Sequence, residues 1–230
     1  MNVAELKARI EAGKTPPFDK LSEEISTGVL FDSTGAEVNY SITHGRNLIF
    51  SKECDERWTQ YNIELLEYIE SQKYSDKELS NILDSIQTED FHWNWFFKSF
   101  AMRTQEYRWF YMYANDKPQG ACVIYQPKDS ALQESNIFYV EFIAVAPWNR
   151  DCLIRKRELR CVGTTLFKAV LDYAVNELGL TPGFSLHSLP QARKYYEKLK
   201  MVNVEKLNKD ALLYFELPEL EANKFLGSSS

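Results

Sequence analysis

The run NIFYVEFIAVA (136–146), halted by Pro147, constrains this chain more than any other segment. A long, mostly apolar strand is buried on both faces and belongs at the centre of a sheet. A basic segment follows, with Arg150, Arg155, Lys156, Arg157 and Arg160 against Asp151 and Glu158. Gly163 then opens an amphipathic helix carrying Leu166, Val170, Leu171, Ala174, Val175 and Leu178, closed by Gly179. The unit is therefore central strand, basic loop, glycine, helix. Such a helix start presents unpaired N–H groups and a partial positive charge, which suit a pyrophosphate, and a glycine there permits close approach to the backbone. An ordinary capped helix behind a solvated basic loop has the same pattern, so this segment alone leaves both readings open.

The rest of the chain alternates in period. Residues 1–27 hold a helix-like stretch with Val3, Leu6 and Ile10 on one face, ended by Pro16 and Pro17. GVLFD and EVNYSI around Ser33-Thr34-Gly35 predict a hairpin, and NLIFS (47–51) predicts a further strand. Helical spacing starts at Asp55, with Trp58, Tyr61, Leu65 and Ile69, and returns over about 75–85 and 90–102. YRWFYMYA (107–114) and GACVIYQ (120–126) flank the turn residues Asn115 to Pro118 and form a second hairpin. A strand at 183–187, a helix after Pro190 and a strand near 211–215 complete the order. The expected division is an N-terminal extension over 1–45, a main domain over 46–220 and a disordered tail over 221–230.

With 44% hydrophobic and 14% aromatic residues the chain can bury a large core, and its net charge of -6 gives no general reason to bind nucleic acid or anionic membranes. The N-terminus lacks an apolar signal region and no run approaches a membrane span, so a cytoplasmic location is expected. Cys54, Cys122, Cys152 and Cys161 read as reduced thiols, with Cys152 and Cys161 a conceivable redox pair. His44, His92 and His187 lack ligand spacing, so no metal is expected. Gly13-Lys14-Thr15 imitates the end of a nucleotide P-loop, but Ala8 stands where its first glycine belongs.

Three segments in order carry a resemblance. These are Tyr139 to Pro147, then Arg160-x-x-Gly163-x-Thr165, then Ala192-x-x-Tyr195-Tyr196-Glu197-Lys198-Leu199. Together they resemble the GNAT superfamily of acyl-CoA N-acetyltransferases over about residues 105–217. The resemblance implies an α/β fold with a mixed, mostly antiparallel central sheet flanked by helices. It also implies a gap between the strand bearing Glu141 and Val145 and the strand beginning at Phe184, entered by the pantetheine arm of acetyl-CoA. Arg160, Cys161, Val162, Gly163, Thr164 and Thr165 are then expected to cradle the pyrophosphate, with a backbone N–H near Val145 meeting the thioester oxygen. Three departures stand out: Thr165 where Gly or Ala is usual, a long loop before Leu159, and Lys200-Met201 in place of Gly-Phe.

Aminolysis of a thioester needs a base for the amine and an acid for the thiolate. Glu141 is the candidate base, since a carboxylate in so apolar a strand is costly without a role, although a structural ion pair has the same signature. Alternation puts it on one face with Tyr139, Ile143 and Val145. Tyr196 matches the family's acid position, or else packs in the core beside Tyr195. Trp93 is a candidate for the acceptor wall and His187 for substrate binding with a part in proton transfer, with core packing and a satisfied structural histidine as their plainer readings. Glu67, Glu70, Glu89 and Asp90 beside aromatic residues suggest a small cationic amine or a peptide amine as acceptor. The alternative function is a CoA-binding GNAT-fold module without turnover, or an interaction protein working through residues 1–45.

Overall fold

The computed structural model describes residues 22–227. The expected helix around Val3, Leu6 and Ile10 and the Gly13-Lys14-Thr15 imitation lie outside these residues. Among the described residues eight strands make one sheet: β1 (Glu23–Phe31), β2 (Glu37–His44), β3 (Tyr107–Ala114), β4 (Lys117–Asp129), β5 (Asn136–Val145), β6 (Phe184–Ser188), β7 (Val202–Asn203) and β8 (Leu213–Leu217). Their spatial order is β1-β2-β3-β4-β5-β6-β8-β7. Every neighbouring pair is antiparallel except β5 and β6, which run parallel. The apolar run at 136–146 is thus interior to the sheet, as its composition requires.

Helices cover both faces. One side carries α1 (Leu48–Ser71), α2 (Asp76–Ser85) and α3 (Trp95–Ala101). Here Cys54, Trp58 and Trp95 pack on Trp109, Tyr111, Ala121, Val123 and Ala144. The other side carries α4 (Val162–Asn176), α5 (Arg193–Lys198) and α6 (Glu219–Gly227). Leu166, Val170 and Leu171 of α4 pack there with Phe110, Cys122, Phe138, Val140 and Phe184.

Four expectations are corrected. NLIFS is not a strand: Asn47 caps α1 through its Oδ1, which accepts from the N–H groups of Ile49 and Phe50, so the apolar run is a first helical turn. Residues 23–44 do not stand apart as an extension, because β2 pairs with β3 and the hairpin is continuous with the main sheet. The tail is not disordered from 221: α6 runs to Gly227 and buries Ala222 completely. The last helix of the first layer starts at Trp95 rather than 90, where Asn94 and Asp55 satisfy its leading N–H groups.

Candidate functional site

The parallel pair β5 and β6 is matched only from Phe138↔Phe184 to Val140↔Leu186. Beyond that point β6 follows β8 while β5 stays with β4 as far as Val145↔Gly120, so the two strands part. At the same place β5 carries a bulge. Val123 faces Phe142 and Ile124 faces Val140, leaving Glu141 as the extra residue.

The bulge resets which face each side chain takes. Before it, Phe138 and Val140 join the α4–α5 core; after it, Ile143 and Val145 do, while Phe142 and Ala144 meet the α1–α3 core. Tyr139 therefore lies on the opposite face from Ile143 and Val145, contrary to simple alternation. The charges that act on Glu141 are Lys98, on α3, and Lys209, before β8. Burial holds the Glu141 carboxyl above the usual carboxylate range, and these two cations oppose that rise.

Beside Glu141, Tyr139 and His187 are hydrogen-bonded at 2.6 Å, and His187 Nε2 lies 2.9 Å from the Leu207 carbonyl. A carbonyl only accepts, so Nε2–H donates to it and Nδ1 accepts from the Tyr139 hydroxyl. Burial pushes the His187 pKa down, which keeps this tautomer neutral.

The edge of β5 facing the gap has a fixed anchor. The Ala146 N–H bonds to the Gln119 carbonyl on the β4 side, so the Val145 peptide groups point the other way, into the gap. The Val145 carbonyl accepts from Arg150 Nε and Nη2 at 3.1 and 2.8 Å. Arg150 also forms a two-pronged pair with Asp90 at 2.7 and 2.5 Å. The loop 87–90 spans the open end of the gap, because Glu89 in turn accepts from the Gln191 N–H at 3.0 Å. Sequence reasoning placed Arg150 and Asp90 in separate roles; their sixty-residue separation hid the pair.

The long loop is an excursion pinned at its base, where Glu158 N–H bonds to the Trp148 carbonyl and Leu159 N–H to Asn149 Oδ1. Its basic residues do not gather at the helix start. Arg155 lies over Tyr61 and Tyr68 on α1, and Arg157 pairs with Asp151. Arg160 is exposed, and its N–H bonds to the Phe31 carbonyl, so the β1–β2 turn buttresses the residues leading into α4.

At that helix start the N-cap is Cys161, exposed and left-handed at φ 60, with no side-chain cap bond. The first intrahelical bond is from Thr165 N–H to the Cys161 carbonyl, which leaves the N–H groups of Val162, Gly163 and Thr164 without helical partners. A Cβ at Gly163 would lie 3.3 Å from Val145 Cγ1, so the missing side chain also lets the helix sit against the end of β5. Val162 is buried in the core. Thr164 Oγ1 lies 3.1 Å from the Tyr195 hydroxyl and ties α4 to α5. Thr165 is buried on the other flank of α4, at a groove of about 480 Å³ shared with Glu23, Tyr40 and Asp172, away from the gap.

Tyr196 is buried among Phe167, Tyr195 and Phe215, with Cys122 of β4 near its phenol, and burial raises its pKa strongly. Lys200, after α5, takes the left-handed conformation at φ 63 that glycine adopts without cost. Trp93 meets Phe142 edge-on at 4.8 Å between ring centroids. Sequence reasoning missed Lys98, whose Nζ sits 3.5 Å from the Phe142 ring centroid and 5.6 Å from that of Trp93. A lone cation inside the aromatic run WFFKSF was the available signal. Among the described residues no group of three or more His, Cys, Asp and Glu side chains converges on one point, and no helix is long and apolar enough to cross a membrane.

The mixed, mostly antiparallel sheet flanked by helices and the parting of β5 from β6 agree with what the resemblance implies. The fold is a mixed α/β one, as expected. No family model matches the chain, and no curated protein matches it. Solved structures that it resembles include an uncharacterized protein from Bacillus halodurans, 10% identical over 89% of this chain and 96% of that one, with a TM-score of 0.49. The PaiA N-acetyltransferase from Thermoplasma acidophilum in complex with coenzyme A is 10% identical over 76% and 98%, at 0.45. A putative GNAT-family acetyltransferase from Desulfovibrio desulfuricans is 12% identical over 78% and 99%, at 0.43.

Proposed function

We propose that this chain is an N-acetyltransferase that moves an acetyl group from acetyl-CoA to a primary amine within one ternary complex. The observation that carries this reading is the parting of β5 from β6 beyond Val140 and Leu186, with the Glu141 bulge at the point of parting. An extended pantetheine arm can occupy such a gap as a strand would, bonding to the free edge of β5. The N–H groups of Val162, Gly163 and Thr164, without helical partners, support the start of α4 as the place where the pyrophosphate would bind. No metal is needed for this chemistry.

In this account the amine arrives from the α1–α3 face, where Glu141 accepts its proton directly or through water. A carboxylate held above its ordinary pKa is a stronger base for that purpose. The amine nitrogen attacks the thioester carbonyl, and the Val145 N–H receives the developing oxyanion on the open strand edge. The C–S bond then breaks, and Tyr196, from the α4–α5 face, gives its proton to the departing thiolate. His187 holds Tyr139 beside Glu141 and helps to shape the acceptor wall with Trp93.

Acetyl-CoA-dependent release of free thiol, followed with a panel of amines, tests the reading. Tyr196→Phe keeps the ring and its packing, so its melting temperature stays near wild type while kcat falls. Equal kcat in the two proteins would remove Tyr196 from the chemistry and return it to the core.

A further inference from the structure

The acidic residues that suggested a cationic acceptor are engaged elsewhere. Asp90 is paired with Arg150, Glu89 holds Gln191, and Glu67 and Glu70 are exposed on α1. The aromatic faces are engaged as well, since the Lys98 ammonium already sits over Phe142 and Trp93. A substrate cation arriving there would meet a protein cation on the rings that should cage it.

Lys98 itself is half-buried and has neither an ion pair nor a hydrogen bond among the described residues. An ammonium carries three donors, and at a partly buried site a carboxylate binds them more strongly than a neutral acceptor does. The charged groups that act on it are Asp55 and Glu141, and Lys209 acts on Glu141 as well. Asp55 is committed to the start of α3, where its two oxygens accept from the N–H groups of Trp95 and Phe96 at 2.7 and 2.9 Å. Glu141 is taken up with the amine in the proposed chemistry, so neither of these carboxylates is bonded to the Lys98 ammonium.

We propose that the acceptor amine carries a carboxylate of its own, an amino acid or a compound built like one, and that Lys98 binds this group while the amine faces Glu141. This rests on the acetyltransferase reading and narrows its substrate class. Lys98 then sets specificity: the rings of Phe142 and Trp93 hold its ammonium in place, and the acceptor carboxylate supplies the missing partner. Lys209 adds to the same field from an exposed position.

The test compares matched acceptors that differ only at this group: amino acids, their carboxamides and the corresponding decarboxylated amines. Binding of acetyl-CoA is measured first by thermal shift, and its failure counts against the acetyltransferase reading itself. With acetyl-CoA bound, the carboxylate members should lead in kcat/KM by about tenfold to a hundredfold, the scale of one charge-assisted contact. The difference should lie mainly in KM. Lys98→Met should bring the ratio close to one, and Lys98→Arg should restore most of it. Equal turnover of acid and amide, preference for the decarboxylated amine, or a ratio unchanged in Lys98→Met would each overturn the proposal.

Discussion

Replacing Arg150 with Met separates a buried structural anchor from a solvated phosphate-binding cation. The Arg150 and Asp90 side chains are only 10% and 7% exposed, and Arg150 adds two bonds to the Val145 carbonyl. Removing one member of such a pair leaves an uncompensated buried charge, which costs about 3–5 kcal/mol. In a chain of this size each kcal/mol moves the melting temperature by about 2–4 °C, so a fall of roughly 6–20 °C is expected. Lys52–Glu56 on α1 is the internal control, with both side chains 63% exposed. Breaking it should cost less than about 0.5 kcal/mol. Urea denaturation of Arg150→Met, Asp90→Leu and the double variant gives the coupling energy, and the double variant should regain most of the loss. A cost for Arg150→Met below about 1 kcal/mol, or a coupling no larger than that of the control pair, would refute the burial argument.

Two further predictions follow from the same geometry. Glu141 has a folded-state pKa above its ordinary value, so the folded chain holds the proton longer and stability falls as pH rises from the ordinary carboxylate range through the raised value. Glu141→Gln should therefore melt above wild type at pH 8, by a margin that closes toward pH 4, while kcat drops about 10²-fold; a variant with wild-type kcat across pH 6–9 would remove the base role. Lys200→Gly should stabilise the fold by about 0.5–1 kcal/mol in urea titrations, since it relieves a left-handed lysine at some cost in unfolded-state entropy, and a loss of stability would contradict that account.

What the sequence could and could not reveal divides along physical lines. The strand at 136–145 and the helix at 162–176 were legible because their burial patterns depend on local composition and period. The bulge at Glu141 was not, because it exists only in the register between β4 and β5, and so Tyr139 was grouped on one face with Ile143 and Val145. NLIFS is apolar enough for a strand, and only Asn47 as a capping residue distinguishes it from one. The glycine of the helix start was noticed for the correct segment, yet the left-handed N-cap fell two residues earlier, on a cysteine that no propensity favours there. Basic residues at 150–160 looked like a phosphate patch because their partners Asp90, Tyr61 and Tyr68 are remote in sequence.

The central claim is that the β5–β6 gap and the start of α4 bind acetyl-CoA. Equilibrium unfolding with and without acetyl-CoA tests it most directly. At about 100 times Kd the ligand should add about 2.7 kcal/mol to the stability of the wild-type chain. Gly163→Glu, whose side chain adds bulk and negative charge at the helix start against Val145, should abolish the gain. A wild-type chain whose unfolding is unmoved by millimolar acetyl-CoA would contradict the account.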